Sequence, residues 1–305
     1  MAQKPAYFSA GLSKNIWLCK SYSLAGDSGM WSSWGKPLVI AAIAVAAMGQ
    51  AKQGAKAPDA LVRARQAYNA GQIDTAISAA KEALTVPALA NGAALVLGRA
   101  HLDRYRQTNT ADDLEQGRKA LQLVVPDQLS PKDRVEFLVG LGVSLYLDGC
   151  DDGCWLASAE LFAVALARAD DPTDRERIFE WWAGALDHQA QFSPEADRVA
   201  IFRRILDGAS AELARHDRAA SASYWVAVAA RGTGDLERAW GAAIAAWVRA
   251  RGLGVRGEAL RADLDRFVTQ VLLPERARQA SPEADPRPQF SLLLQQWEEI
   301  KKRYS

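Results

Sequence analysis

Three histidines and three cysteines hold much of the nucleophilic and metal-ligating capacity of this 305-residue chain, and their spacing limits what they can do. His101, His188 and His216 lie far apart, and none belongs to an H-E-x-x-H pair, so no zinc site is spelled out. Cys150 and Cys154 share the turn CDDGCW. As metal ligands they lack a second Cys/His pair. As a disulfide they would clip a small polar loop, and in a reducing compartment they would stand as two free thiols. The expectation is a Cys150–Cys154 bridge, which shapes the turn more than it stabilises the whole, because the closed loop is short. Gly252-Leu253-Gly254-Val255-Arg256-Gly257 matches G-x-G-x-x-G, yet the dinucleotide fingerprint needs a strand in front of it. Here the preceding segment, AIAAWVRA, has a helical pattern, so the glycines are read as an inter-helix loop. No G-x-S-x-G or Walker loop is present. One acid–base candidate remains, His188 beside Asp187, which would need a closed pocket and a perturbed titrating group. Neither a metal nor a cofactor is implied.

The elements that must position these residues are helices. Apolar content is 49%, charged content 24%, and the sequence is rich in alanine, which favours helix. The net charge of +1 hides an asymmetry. Residues 1–56 hold six lysines and one acid, so the remainder is mildly acidic, which argues against nucleic acid as the main ligand.

The segment Asp59 to Val86, DALVRARQAYNAGQIDTAISAAKEALTV, reads as two short helices joined at Gly71. Ala64, Ala76 and Ala83 allow the two to approach closely. Related patterns recur from Asn91 to Val125, from Ser130 through VEFLVGLGVSLYLDG and SAELFAVALA, from Asp174 to Arg215, and from Ala220 to Ala250. Within them Gly98, Gly142 and Ala227 take the place of Ala64. The expectation at Gly142 is that alanine is accommodated and leucine is not. The run Arg106 to Thr110 is read as a longer loop. A helix from about Glu258 to Arg276 caps the end, SPEADPRP (Ser281 to Pro288) is a linker, and Phe290 to Tyr304 is an amphipathic helix.

This pattern resembles the tetratricopeptide repeat over roughly residues 57–250, although the usual early aromatic and the closing proline are mostly missing. The resemblance implies an all-α, right-handed helix–turn–helix solenoid of about five pairs. It also implies a binding or scaffold module whose first helices line a concave groove for an extended peptide or partner helix. Carried over position by position, it places Arg65, Tyr68, Asn69, Arg99, Tyr146, Trp181, His188, Tyr224 and Arg231 in that groove. Arginine and aromatics together form the composition favoured at binding hot spots. Arg99, Trp181 and Tyr224 are expected on one inner surface, with the Arg99 fork turned toward a ligand. The adjacent Trp181 and Trp182 cannot both face one way.

The front of the chain reads as a leader. Leu38 to Met48 is an apolar run too short to span a bilayer, with Lys36 before it and Ala47-Met48-Gly49 after it. A cleaved export signal is the expectation, with an uncleaved anchor and a buried helix as alternatives; translation from Met30 would give a leader of ordinary length. The division is then leader 1–56, helical body 57–280, and linker with amphipathic helix 281–305. Export places the protein in the periplasm or outside the cell, with membrane contact only through the leader. Besides the binding module, an envelope enzyme and a structural protein self-associating through 290–304 remain open.

Overall fold

In the computed structural model, residues 59–149 and 153–304 are described, and all their regular structure is helical. The expected leader and Cys150 lie outside them. The helices come in consecutive pairs: α1 (Ala60–Asn69) with α2 (Ile73–Leu84), α3 (Pro87–Thr108) with α4 (Ala111–Gln122), and α5 (Pro131–Asp148) with α6 (Cys154–Arg168). Two more follow, α7 (Pro172–Phe192) with α8 (Glu195–Arg215) and α9 (Ala220–Gly232) with α10 (Leu236–Arg249). Each second helix also packs on the first helix of the next pair, and the first helices α1, α3, α5, α7 and α9 touch in succession.

Local chemistry sets the helix ends. Prolines open α3, α5 and α7, where a missing N–H costs nothing. The side chains of Asp59, Ser130, Asp171 and Asp235 each cap a helix by accepting from backbone amides of its first turn. The first and last pairs share one turn: Gly71 and Gly234 both have positive φ, and their amides donate to the carbonyls of Tyr68 and Arg231. A Cβ in that left-handed conformation would be strained, which is why glycine stands at both. The Arg106–Thr110 stretch differs from its reading as a long loop. α3 continues through Thr108, and only Asn109, itself left-handed, and Thr110 form the turn.

Close crossings hold the pairs together. At the α5–α6 crossing the fully buried Ser158 donates to the Gly142 carbonyl at 2.8 Å, and Phe162 covers Gly142. At the α3–α4 crossing Gly98 faces Gly117 and Leu121. Ala64 and Ala227 are fully buried in the outer pairs. Trp181 and Trp182 are both buried despite being adjacent, because α7 is covered on more than one side: Trp181 stacks on Phe162, while Trp182 packs by Phe179 and against Gly208.

The end of the chain belongs to the body. α11 (Gly254–Phe267) passes through a π-helical turn, Val268–Leu272, into α12 (Leu273–Ala280). Pro274 explains the wide turn: an α-helical path would drive its ring into the carbonyl four residues back. After a short connection, α13 (Arg287–Arg303) begins within the expected linker and docks on α12. Its Trp297 is fully buried against Trp240 and Trp247 and donates to Asp265 at 2.7 Å, where Lys301 also pairs.

The expectation that alanine fits at position 142 is corrected by this packing. A Cβ there would lie 2.6 Å from a ring carbon of Phe162, itself wholly buried and unable to retreat. Gly142→Ala should lower stability by about 1–3 kcal/mol, read as a clear fall in the denaturation midpoint, with Gly142→Leu worse. An alanine variant as stable as the parent would show that α5 and α6 do not cross there.

Candidate functional site

The first helices of four successive pairs converge on one cavity of about 200 Å³. α1 brings Tyr68 and Asn69, α3 brings Arg99, Asp103, Arg106 and Gln107, α5 brings Glu136 and the small Gly140, and α7 brings Arg177, Glu180 and Trp181. The polar groups form a linked chain. Tyr68 donates its hydroxyl to Asp103 at 2.6 Å, and Asp103 pairs with Arg106 at 2.8 Å. The Arg106 guanidinium lies 5.0 Å above the Trp181 ring, and that of Arg99 lies 4.8 Å above Tyr68. Glu136 receives both Arg99 and Arg177, the latter at 2.9 Å, and Arg177 reaches Asp174 at 3.1 Å.

Burial and pairing compete in this chain. Burial raises the Glu136 carboxyl, but Arg99 and Arg177 overcome it and hold it below the ordinary carboxylate range. Burial likewise works against the charge on Arg99, yet Glu136 beside it keeps the guanidinium even more firmly protonated than usual. Burial pushes the Tyr68 hydroxyl well above its usual value, with Asp103 adding to the effect and Arg99 opposing it. The floor is thus charge-balanced. The Arg99 fork, expected to face a ligand, is spent on Glu136 and on the Tyr68 ring.

Beside the cavity, Trp181 begins a ladder of rings. Tyr146 meets Trp181 and His188 edge-on at 5.1 and 5.2 Å, His188 stacks on Trp155, and Trp155 stacks on Phe192, which is 71% exposed. Asp187 follows, accepting from Gln191 at 3.1 Å, with Tyr224 and Arg231 as its electrostatic neighbours. Arg231 is held by two hydrogen bonds to Glu275.

Of the nine residues expected in a groove, Tyr68, Asn69, Arg99 and Trp181 line the cavity. Tyr146 contacts the Trp181 ring and His188 contacts Tyr146, while Tyr224 and Arg231 are electrostatic neighbours of Asp187. Arg65 stands apart, exposed and paired with Asp133 at 3.0 Å. Trp181 and Tyr224 are only 6% and 5% exposed, so they are core as much as surface. Replacing them together with Arg99 would unfold the groove before testing it, because truncating buried aromatics typically costs about 3–5 kcal/mol. Sequence reasoning missed Asp103, Arg106, Glu136 and Arg177. The signal was there in α3, where Arg99, Asp103 and Arg106 alternate in sign at helical spacing.

The other candidate chemistry is placed as follows. His101 is buried and bonds Asp113 at 2.8 Å, with Arg104 closing the network. His216 is exposed and lines a second cavity of about 700 Å³ at the ends of α8 and α9. Cys154 opens α6. The G-x-G-x-x-G glycines follow a helix and open α11, with Gly257 packed onto the Ala250 carbonyl. Among the described residues no group of His, Cys, Asp and Glu could hold a metal ion, and no helix is long and apolar enough to cross a membrane. No protein-family model, no curated protein and no solved structure matches this chain.

Asp187 gives a measurable signature. Burial lifts its carboxyl from an ordinary 3.8 to about 6, against the opposing pull of Gln191 and Arg231. Its folded-state value lies above the unfolded one, so the folded chain binds the extra proton and loses stability as pH rises through that window. Asp187→Asn should therefore stabilise the protein at about pH 8, by on the order of 2 kcal/mol, with the gain fading as pH falls from about 6 toward 3.8. Denaturant titrations across that range check the sign; a gain that grew on acidification would contradict it.

Proposed function

We propose that this chain is a non-catalytic binding module of the cell envelope, a right-handed, tetratricopeptide-like solenoid of five helix pairs that holds a protein or peptide segment in its inner groove. The observation that carries the reading is the shared cavity: α1, α3, α5 and α7, far apart in sequence, each contribute side chains to it. The charge-balanced floor suits an uncharged, extended backbone better than a strongly anionic ligand, since its arginines already have carboxylate partners. Exposed Asn69 and Gln107 stand at its lip with both donors and acceptors to offer a peptide chain. Self-association through 290–304 has less support, because Leu293 and Trp297 are buried within the chain itself. The enzyme alternative has less support too: His188 contacts rings and shows no hydrogen bond to Asp187.

Selection of random displayed peptides on the full chain tests the reading. Enriched peptides should bind the Asn69→Ala/Gln107→Ala double variant about tenfold more weakly, with thermal stability unchanged. Failure to enrich any peptide, or binding indifferent to both lip residues, would overturn it. The envelope location rests on the leader and on the Cys150–Cys154 bridge. N-terminal sequencing of protein made in a secreting bacterium should find a start near Gly49, and thiol counting on that material should find neither cysteine free. A cytoplasmic product that retains its leader, with two titratable thiols, would remove the location from the proposal.

A further inference from the structure

Gly184 leaves a gap on the surface of α7. A Cβ built there would meet nothing within 4 Å, whereas one at Gly208 or Gly232 would strike Trp182 or Phe202. Packing accounts for those two glycines and not for Gly184, which sits mid-helix in α7 at a cost of about 1 kcal/mol relative to alanine. Helical spacing puts Gly184 on one face with Trp181, one turn before it, and with Asp187 and His188, one turn after.

The polar groups around this gap are not consumed internally. Among the described residues Asp187 forms no ion pair, and its one side-chain hydrogen bond, from Gln191, occupies Oδ2 and leaves Oδ1 open. The Tyr224 hydroxyl and both His188 ring nitrogens make no hydrogen bond to described residues. The cations facing this stretch are committed elsewhere. Arg231 from α9 is bound twice to Glu275 of α12, and Arg266 from α11 is paired with Asp263. Burial pushes the His188 pKa down, so its ring stays neutral near pH 7.

We infer that the groove around Gly184 seats a primary ammonium group, as carried by a lysine side chain of a bound peptide, with the open Asp187 oxygen as its counter-charge. This rests on the groove reading above and names what that groove selects. Burial partly shields the Asp187 carboxylate, which lies within electrostatic reach of Tyr224, so a cation brought to it is held more strongly than at an open surface. With Oδ2 engaged by Gln191, a single oxygen remains. That suits a compact ammonium and not a guanidinium, whose planar fork calls for both. The bare backbone at Gly184 gives the arriving side chain its room.

The test titrates the full chain with Nα-acetyl-lysine amide and follows the tryptophan indole resonances, with the arginine and norleucine amides as comparisons. The lysine amide should saturate, with the arginine amide at least about tenfold weaker and the norleucine amide without effect. Asp187→Asn should abolish saturation without loss of thermal stability. Gly184→Leu should block it while leaving the melting temperature equal or higher, since leucine is the better helix former and has open space to occupy. Affinity should drop about tenfold between pH 7.5 and 5, as the Asp187 carboxyl takes up its proton. Absence of saturation overturns the inference. So does equal binding of the norleucine or arginine amide, or binding that survives both substitutions. The groove reading fails separately: peptides enriched without any lysine leave the groove standing and remove this seat, whereas lysine-amide binding with no peptide enriched does the reverse.

Discussion

Everything in this molecule depends on how closely two helices of a pair can cross. The contact is made by the smallest side chains available: Ala64 in the first pair, Gly98 against Gly117 in the second, Gly142 under Phe162 in the third, and Ala227 in the fifth. At such a distance the larger residues beside the crossing interlock, and dispersion contacts are gained on both sides. The same crossings fix the tilt of each first helix. That tilt decides whether residues tens of positions apart, such as Tyr68 and Trp181, reach one cavity. A shift in any crossing would be felt in the groove before it was felt in the fold class.

The groove itself is built from compensating charges. Arg99, Arg106 and Arg177 could have made it a strong anion trap, but each is drawn to a carboxylate from a neighbouring helix or turn. Because Glu136 of α5 holds arginines from both α3 and α7, it also acts as a tie between three first helices. Removing one partner of such a set leaves a charge with no counterpart at a site poor in water, which is more costly than never having had the pair. Polarity here serves alignment as well as recognition. Around Asp187 the compensation stops, and the chain leaves a carboxylate oxygen open.

Much of the helical plan was legible in the residues. Gly71 marked the first turn, Ser130-Pro131 marked the start of α5, and the small residues at one position of each pair marked the crossings. The misreadings share a cause. Arg106 and Gln107 looked like loop because they are polar, yet they are helical and polar because they face the groove. Arg99 looked available because its partner, Glu136, lies in the next pair. Gly142 looked tolerant of a methyl group because nothing in its own helix reveals that Phe162 of α6 lies across it. Local periodicity reports which face is turned inward; it does not report what stands opposite.

The π-helical turn before Pro274 settles a matter of phase. Along α11 and into the π-helical turn the buried residues Leu260, Leu264, Val268 and Leu272 recur every four positions. In an ideal α-helix four residues overshoot a full turn by about 40°, so such a stripe winds steadily away from its neighbour. A turn closed by a bond from the Leu273 amide to the Val268 carbonyl holds one residue more, and it brings the stripe back into line. Leu273 and Ala277 then continue the buried face into α12, where α13 docks. The proline that forbids a regular helix thereby acts as a clock correction, and the seam that closes the end of the body stays in register because the helix is irregular there.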